Sequence, residues 1–541
     1  MENKKAKTYK RYKNFKIFFL IITAAVLSGV IYLKRNYHLT SFDQTFLTLQ
    51  TGTTGTGLAV IKDIVAKNIL VFPSILFLLL YPSILFYSFK MKKEKYEKEQ
   101  KFKKEIEENN EEIVKLINFE KKSFLISLLV FFISLILLSS TLKINNSFFS
   151  ILKGETTKIY DDYYVDGKKI NMSFKDNKKK NLILIVAESM ETSTFSIQNG
   201  GKYERSVTPE LEQMAKDNIS FSWTENLGGF KMAPGATLTT GALATFNTGV
   251  SPILDFSKFL SKENQEKYMP GAYSIGEFLK ENGYNNQFIL GSDANYGQRR
   301  LFYNSHGVDN IMDLYKAREI GYLPENYFDD WWGYEDEHLF RIAKSEISKT
   351  AKEGKPFFTT LLTVDTHFPN GQLPEGYVRE YDKQYLDVYR NASYMINDFL
   401  NWLKKQSCYE DTVVVIVGDH LTMQSGFFGE GERYVYNAII NSDKEKDLKK
   451  LRNRKFITTD ITPTILSAIG VEIEGDRFGM GTNLFSDKKT LVEEMGFEEY
   501  STEAQKISAF YTKNISEDVE HTNIKEKIND IKEITRKEIE E

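Results

Sequence analysis

Two acidic positions, each directly after an apolar run, are the residues best suited to chemistry in this sequence. Glu188 follows the run 181–187, and Asp419 and His420 follow the β-branched run 412–417 and one glycine. Short apolar runs rich in Ile and Val are typical of strands buried on both faces of a parallel sheet. Because open α/β sheets bind ligands beyond the carboxyl ends of their strands, we expect these side chains at one edge. Together they would form a site for a hard metal ion.

A threonine at the start of a predicted helix is the candidate nucleophile. Thr237 lies in the stretch 234–243, whose pattern indicates a loop that leads into a helix. A hydroxyl in the first helical turn lies at the positive end of the helix dipole. A free threonine hydroxyl is a poor nucleophile, and a bound divalent cation would lower its pKa. Thr237 is therefore a candidate metal ligand and nucleophile, with a plain helix cap as the alternative.

Alternating strand and helix patterns in the middle of the chain predict the scaffold for these residues. The predicted strands are 181–187, 288–290, 357–364, 413–417 and 436–440. Helical patterns lie between or after them, at 208–216, 237–247, 273–282, 334–349, 384–405 and 462–469. This alternation favours an α/β fold with a mostly parallel sheet and helices on both faces.

The long apolar segments all fall in the first quarter of the chain. Residues 17–33, 68–89 and 123–142 each have about the ~20 residues that a helix needs to cross a membrane. Lysines and arginines cluster before the first run and after the second, which predicts that these flanks are cytoplasmic. Three spans would then place everything after the third outside the cytoplasm. We predict that the first run is an uncleaved span, since no signal-peptide cleavage site follows it.

These patterns divide the chain into four predicted parts. They are a membrane domain (1–143), a connector (144–180), an α/β domain (181–487) and a charged helical tail (488–541). The formal net charge of −3 gives no nucleic-acid signature. The only cysteine, Cys408, excludes an intrachain disulfide and a thiolate zinc cluster.

Several motifs together resemble those of a known enzyme family. The matching stretches occur in the family's order, at 181–191, 235–237 (Gly-Ala-Thr), 366–369 (Thr-His-Phe-Pro), 418–420 (Gly-Asp-His), 460–464 and 478–485. Over most of residues 41–487 the chain resembles the lipoteichoic acid synthase and phosphoglycerol transferase I group. This group lies within the alkaline phosphatase–sulfatase superfamily, so the resemblance implies an alkaline phosphatase/sulfatase-like fold for the α/β domain.

The resemblance also implies a metal centre. It places one divalent ion on Glu188, Thr237, Asp419 and His420, usually Mn²⁺, with Mg²⁺ or Zn²⁺ as alternatives. It places His367 beside the phosphoryl group, where the imidazole would help the leaving oxygen. Three oxygen ligands and one imidazole suit this class of ion better than a soft metal.

The segment 291–307 departs from the pattern of lipoteichoic acid synthases. It lacks their Phe-His-Gly-Asn stretch and the following Trp, and it resembles the phosphoglycerol transferase I branch more closely. Arg299 and Arg300 are candidates for holding a phosphate, because guanidinium groups suit phosphoryl oxygens. The alternative is a solvated pair. Trp332 is a candidate for lining the pocket, with simple packing as its alternative.

The resemblance implies a multi-pass enzyme of the cell membrane with an extracytoplasmic active site. The threonine would attack phosphatidylglycerol, diacylglycerol would leave, and the hydroxyl of an extracytoplasmic glycan or polyol would then take the phosphoglycerol. Three alternatives are a phosphoethanolamine transferase, a phosphodiesterase and a non-catalytic membrane scaffold. A formylglycine sulfatase needs Cys or Ser in a Cys/Ser-x-Pro-x-Arg context, and Cys408 lacks that context.

Overall fold

The computed structural model describes residues 2–36, 71–81, 108–141, 154–253, 267–327, 331–424 and 426–517. The chain divides into two compact units. Here the amino-terminal unit means the described residues up to 141, and the α/β unit means the described residues from 154 to 517. Each unit is described by itself.

The amino-terminal unit contains three helices in the described residues: α1 (Glu2–Asn36), α2 (Val71–Tyr81) and α3 (Glu108–Thr141). Two segments are long and apolar enough to cross a membrane, Thr8–Tyr32 in α1 and Ile117–Ser140 in α3. The first and third predicted spans coincide with these two segments. The second predicted span, 68–89, is described only at 71–81, and its remainder lies outside the described residues.

Helices α1 and α3 pack along each other through aromatic rings and one buried ion pair. Phe19 of α1 lies 5.9 Å from Phe124 and 5.3 Å from Phe131 of α3, measured between ring centroids. Lys16 Nζ lies 2.7 Å from Glu120 Oε2, and both side chains are buried. Many other apolar side chains of α3 are exposed, as expected for a helix that faces lipid.

The α/β unit is built on a six-stranded sheet with the order β4-β3-β5-β2-β6-β7. The strands are β2 (Asn181–Ala187), β3 (Asn285–Leu290), β4 (Asn310–Met312), β5 (Phe357–Leu362), β6 (Thr412–Gly418) and β7 (Asn437–Ile440). All neighbours pair in parallel except β6 and β7, which are antiparallel. The predicted α/β fold class with a mostly parallel sheet is confirmed.

Short two-stranded pairs and many helices complete this unit. The remaining strands are β1 (Met172–Phe174), β8 (Val471–Ile473), β9 (Arg477–Phe478) and β10 (Gly481–Thr482). The helices are α4 (Ile159–Tyr163), α5 (Pro209–Asp217), α6 (Thr239–Thr248), α7 (Ile275–Glu281), α8 (Arg299–Ser305), α9 (Leu314–Glu319), α10 (Asp336–Ala351), α11 (Gln384–Leu403), α12 (Leu448–Leu451), α13 (Thr458–Ala468), α14 (Leu491–Met495), α15 (Phe497–Glu503) and α16 (Ala509–Tyr511).

The complete burial of strands β2 and β6 explains why each is a continuous apolar run in the sequence. All seven residues of β2 and all seven of β6 are buried. Alternate side chains of β2 enter two different cores, with Leu182 and Leu184 on one face and Ile183 and Ile185 on the other. A strand covered by helices on both faces must be apolar at every position, so it reads as a continuous run.

Two segments predicted as separate parts belong to the core of the α/β unit. Phe174, in the predicted connector, is buried, and its strand β1 pairs with β8. Tyr511 and Ile515, in the predicted tail, are buried in the same core. The apolar residues in these segments are too sparse to form a pattern, although they pack well in three dimensions. The helical pattern predicted beyond residue 517 lies outside the described residues.

Candidate functional site

The register of the two central strands brings the acidic candidates together. Ala187 of β2 pairs with Gly418 of β6, so the next residue on each strand lies at the same carboxyl edge of the sheet. These residues are Glu188 and Asp419. The Asp419 amide donates a hydrogen bond to the Ala187 carbonyl over 3.3 Å. The sheet itself therefore fixes the separation of the two carboxylates.

Glu188, Asp419 and His420 form one buried cluster. One potential ligand atom from each residue lies within 4.8 Å of the others. His420 Nε2 lies 3.3 Å from Asp419 Oδ2 and 3.7 Å from Glu188 Oε1. The exposed fractions of Glu188, Asp419 and His420 are 2%, 0% and 0%. The structure thus brings together three of the four residues predicted to hold a metal.

The hydrogen bonds of His420 define which ring nitrogen faces the cluster. His420 Nδ1 lies 3.0 Å from the Leu421 carbonyl oxygen. A carbonyl only accepts hydrogen bonds, so Nδ1 carries a proton and Nε2 is the ring nitrogen that faces the two carboxylates. This is the arrangement that a metal-ligating histidine needs, with the second nitrogen held by a backbone acceptor.

The electrostatics of the cluster favour a bound cation. Burial, and then the neighbouring Asp419 carboxylate, raise the pKa of Glu188 well above its usual range. Asp419 Oδ2 is buried and accepts no hydrogen bond from the described part of the chain. An unsatisfied buried carboxylate oxygen is costly unless a cation coordinates it. Two carboxylates, an imidazole and a neighbouring hydroxyl are a donor set that fits Mn²⁺, Mg²⁺ or Zn²⁺.

The hydroxyl that the structure places against this cluster belongs to Thr239, two residues after the predicted Thr237. Thr239 Oγ1 lies 3.2 Å from Glu188 Oε2 and 3.3 Å from His420 Nε2. Helix α6 begins at Thr239, whereas Thr237 lies two residues earlier, outside the helix. The resemblance to the family's Gly-Ala-Thr stretch indicated Thr237, and a loop pattern does not show which of two threonines two residues apart reaches the cluster.

The position of the helix start depends on close backbone packing. Gly235 has a φ of +83°, a left-handed conformation that favours glycine. A Cβ on Gly241 would lie only 2.0 Å from the Gly235 carbonyl oxygen, so the loop lies directly on the helix. These contacts bring the first turn of α6 to the sheet edge. The first N–H groups of a helix have no acceptor within the helix, so this end is suited to an anionic ligand.

A cleft opens beside the cluster and contains several predicted substrate-binding residues. Its lining comprises Glu188, Thr239, Thr240, Gly291, Ser292, Tyr296, Arg299, Trp332, Leu362, Thr363, Val364 and His367. Of the predicted substrate-binding residues, Arg299, Trp332 and His367 line this cleft. Thr240 and Tyr296 were missed, since neither lies in a motif.

Arg299 is the cationic side chain of the cleft. Its exposed fraction is 6%, and its guanidinium donates to the carbonyl oxygens of Tyr296 and Asp293 over 2.9 and 3.0 Å. The guanidinium carbon lies 5.3 Å from the centre of the Tyr296 ring. No carboxylate in the described part of the chain forms an ion pair with Arg299. A buried guanidinium held only by neutral acceptors is well suited to an anionic ligand.

Arg300, the other arginine of the predicted pair, has a different role. Its guanidinium forms an ion pair with the buried carboxylate of Asp313 and also donates to Asn295 Oδ1. Asp313 in turn caps helix α9 by accepting the Lys316 amide. The structure does not place Arg300 in the cleft lining, so its assignment to substrate binding stays a prediction. The two arginines are consecutive on α8, so their side chains point in different directions.

His367 and Trp332 form one wall of the cleft. Their ring centroids are 4.1 Å apart, and Tyr296 lies 5.9 Å from Trp332. His367 Nδ1 donates to the Phe368 carbonyl over 2.7 Å, which leaves Nε2 as the acceptor nitrogen. Burial against the surrounding protein, together with the nearby His420 and Arg299, lowers the pKa of His367. His367 is therefore neutral at pH 7.

The sequence comparison identifies the family of this chain. The sulfatase family model matches residues 180–471, which is the part of the chain that contains the sheet and the cluster. The chain belongs to the sulfatase family.

Named relatives of this sulfatase-family chain match the same part. Phosphoglycerol transferase I of Salmonella choleraesuis is 29% identical over 322 residues, which cover 57% of this chain and 39% of the relative. An alkaline phosphatase superfamily protein from Vibrio parahaemolyticus is 26% identical, with a TM-score of 0.43 and coverage of 56% and 69%. The lipoteichoic acid synthase LtaP from Listeria monocytogenes is 19% identical, with a TM-score of 0.44 and coverage of 61% and 81%.

Two hydroxyl side chains from the loop after strand β5 hold the backbone of the sulfatase-family cluster. Thr363 Oγ1 accepts the Glu188 amide over 2.9 Å. Thr366 Oγ1 donates to the Glu188 carbonyl over 2.5 Å. On the other side of this loop, the buried Asp336 carboxylate accepts the amides of Val364 and Asp365. No motif indicated the role of Thr363, because a hydrogen bond to a backbone group does not depend on a motif.

Proposed function

We propose that this chain is a membrane-bound transferase that moves phosphoglycerol from phosphatidylglycerol to an extracytoplasmic glycan or polyol. The observation that carries this proposal is the position of Thr239. Its hydroxyl lies against Glu188 and His420 at the start of a helix, in a cleft that also contains a buried arginine with no carboxylate partner among the described residues. A nucleophilic hydroxyl, a cation site and an anion-binding cleft are the parts that phosphoryl transfer requires.

The metal centre of the proposed enzyme is formed by Glu188, Asp419, His420 and Thr239. We propose Mn²⁺ as the ion. When bound, the cation would lower the pKa of a hydroxyl in its coordination sphere and neutralise phosphoryl charge. The first turn of α6 and Arg299 would hold the phosphate oxygens of the donor, because both present N–H groups to an anion.

The reaction would proceed in two displacements at phosphorus. In the first, Thr239 Oγ1 forms a bond to the phosphorus of phosphatidylglycerol, the bond to the diacylglycerol oxygen breaks, and diacylglycerol leaves with a proton. A glycerophosphoryl group then remains on Thr239. In the second, an acceptor hydroxyl forms a bond to the phosphorus and Thr239 is released. His367 lines the cleft with an acceptor nitrogen, so it would exchange protons with the leaving and entering oxygens.

The similarity to phosphoglycerol transferase I supports phosphatidylglycerol as the donor. The chain matches that relative over 39% of its length, so the donor, the acceptor and the covalent intermediate are all part of the proposal. The two apolar helices support action at a membrane, where a lipid donor is concentrated. A multi-pass topology with the α/β unit outside the cytoplasm is likewise proposed.

A labelling experiment with two threonine variants tests the proposed function. Membranes that contain the full chain receive phosphatidylglycerol labelled in its glycerol headgroup, and label in glycans or polyols is measured. We expect transfer by the wild type and by Thr237→Ala, and a loss of roughly 10³-fold or more for Thr239→Ala, because the nucleophile is removed.

Other outcomes of the same experiment would contradict the proposal in different ways. Label released only as free glycerophosphate would indicate a phosphodiesterase. Transfer from labelled phosphatidylethanolamine but not from phosphatidylglycerol would indicate a phosphoethanolamine transferase. Wild-type transfer by Thr239→Ala would remove that hydroxyl from the reaction.

A further inference from the structure

Helix α11 presents two buried tyrosines to the back of the cluster. Tyr385 and Tyr389 are one helical turn apart, and both side chains are fully buried. Their ring centroids are 4.9 Å apart. Residues four apart lie on the same face of a helix, so both hydroxyls point in one direction. Burial raises the pKa of both phenols, and each therefore keeps its proton as a donor.

The hydroxyl of Tyr385 joins two loops of the site. It lies 2.6 Å from the Thr366 carbonyl oxygen and 2.8 Å from Thr422 Oγ1. The carbonyl can only accept, so Tyr385 donates to Thr366 and accepts from the Thr422 hydroxyl. Thr366 directly precedes His367 and also holds the Glu188 carbonyl through its own side chain. Thr422 comes two residues after His420.

The hydroxyl of Tyr389 holds the third loop. It donates to the Ser189 carbonyl over 2.9 Å. Ser189 directly follows Glu188, and its side chain donates to Glu188 Oε1 over 2.7 Å. The Ser189 amide donates to Asp419 Oδ1 over 2.8 Å. The position of Ser189 therefore influences the positions of both carboxylates, those of Glu188 and Asp419.

Helix α11 is itself firmly anchored. Arg390 forms an ion pair with Glu210 of α5, and Ser393 donates to the same carboxylate. At its first turn, the buried Asp387 accepts the backbone amides of Glu380 and Tyr381. The helix therefore provides a fixed platform for the two phenol groups.

We propose that Tyr385 and Tyr389 are positioning residues that keep the loops bearing Glu188, His367 and His420 in the arrangement that binds the divalent cation. The inference rests on the proposed function, because it requires the cluster to bind a metal. The hydrogen bonds of the two hydroxyls go to Ser189, Thr366 and Thr422, and the hydroxyls act on the cluster through these contacts. Groups that orient metal ligands in this way typically contribute 10- to 100-fold to metal affinity or activity.

A matched control separates this role from ordinary stabilisation. Tyr284 is also buried, and its hydroxyl donates to a backbone carbonyl, that of Lys180, over 2.7 Å. It lies just before β3, at the opposite edge of the sheet from the cluster. Removal of one buried hydroxyl by Tyr→Phe costs a similar stability at each site, about 1 kcal/mol. Only the tyrosines of α11 should change metal binding.

The experiment measures Mn²⁺ binding to the full chain in detergent by calorimetry, for the wild type and the variants Tyr385→Phe, Tyr389→Phe and Tyr284→Phe. We expect roughly 10- to 100-fold weaker binding for Tyr385→Phe and a weaker affinity for Tyr389→Phe. Tyr284→Phe should bind as the wild type does, and the midpoints of thermal unfolding should fall by similar amounts in all three.

The outcomes distinguish failure of this inference from failure of the proposed function. Wild-type Mn²⁺ affinity in both Tyr385→Phe and Tyr389→Phe would overturn the positioning role while leaving the metal centre intact. Equal weakening in Tyr284→Phe would also overturn it, because the effect would then follow from stability alone. A wild-type chain that binds no Mn²⁺ would overturn the metal centre and this inference together.

Discussion

Glu188, Asp419 and His420 owe their chemistry to what surrounds them rather than to their identity alone. The buried Asp419 beside Glu188 makes two ionised carboxylates unfavourable, and the contact of His420 Nδ1 with the Leu421 carbonyl turns Nε2 toward them. A divalent cation would offset both the repulsion between the two carboxylates and the cost of burying their charge. The hydroxyl of Thr239 completes the set from a separate element.

Substitution of Arg299 and substitution of Arg300 should have different effects on donor binding and on stability. Arg299→Ala removes the buried guanidinium of the cleft, so we expect the KM for the phospholipid donor to rise at least about tenfold. Arg300→Ala breaks the pair with Asp313 outside the cleft, so we expect a lower unfolding temperature with little change in KM. Steady-state kinetics and thermal unfolding on both variants check this. A larger KM effect for Arg300→Ala would show that the cleft is assigned to the wrong arginine.

Elements of the α/β unit could be predicted where burial is complete. Strands β2 and β6 are apolar at nearly every position because helices cover both faces. Their apolar runs therefore predicted the strands, and the ends of the runs predicted the positions of Glu188 and Asp419. Strand β4 has only three residues at the sheet edge and left no pattern. The start of α6 depends on the packing of Gly235 against Gly241, which a sequence pattern cannot report.

The tyrosines of α11 were missed for a related reason. Tyr385 and Tyr389 lie at helical spacing among other apolar residues, and such a stripe usually indicates a core-facing helix. That expectation is correct for their rings, which pack in the core. Their hydroxyls reach backbone carbonyls of loops that are distant in the sequence. Hydrogen bonds to backbone groups do not depend on residue type, so no motif marks them.

The junction between α13 and the β9–β10 hairpin should make stability depend on pH. Burial raises the pKa of Asp460 to about 7, against the opposing effect of the Ile457 and Thr482 amides that its carboxylate accepts. A group with a raised pKa in the folded state contributes its full stability below the unfolded pKa, and this is lost as pH rises through about 7. Relative to Asp460→Asn, the wild type should lose about 1.4 kcal/mol per pH unit between pH ~5 and ~7.

Denaturant unfolding of the wild type and Asp460→Asn at several pH values measures this difference. The variant serves as the reference for the wild type at each pH, because asparagine does not titrate. A difference that stays constant from pH ~5 to ~7 would show that Asp460 binds the same number of protons in the folded and the unfolded state, and would contradict a pKa raised by folding.

The whole molecule combines an apolar amino-terminal unit with an α/β unit of the sulfatase family. The number of membrane spans decides on which side of the membrane the active site lies. Three spans place the amino terminus and the α/β unit on opposite sides, whereas two place them on the same side. The described residues contain two helices long enough to span a membrane, so the third span stays a prediction.

Cysteine labelling tests this topology, because the chain has only one native cysteine. In a Cys408→Ser background, a cysteine replaces either Lys10 of α1 or Val378 of the α/β unit, both of which are exposed. We expect a membrane-impermeant maleimide to label Val378→Cys in intact cells and Lys10→Cys only after the cells are permeabilised. Equal labelling of both in intact cells would contradict a three-span topology.

The most direct test of the central claim is to identify the residue that carries the transferred group. The full chain is incubated with Mn²⁺ and phosphatidylglycerol in the absence of acceptor, quenched with acid, digested and examined by tandem mass spectrometry. The account predicts one added glycerophosphoryl group on the side chain of Thr239. An adduct on Thr237, or an unmodified Thr239 in a preparation that transfers phosphoglycerol, would contradict it.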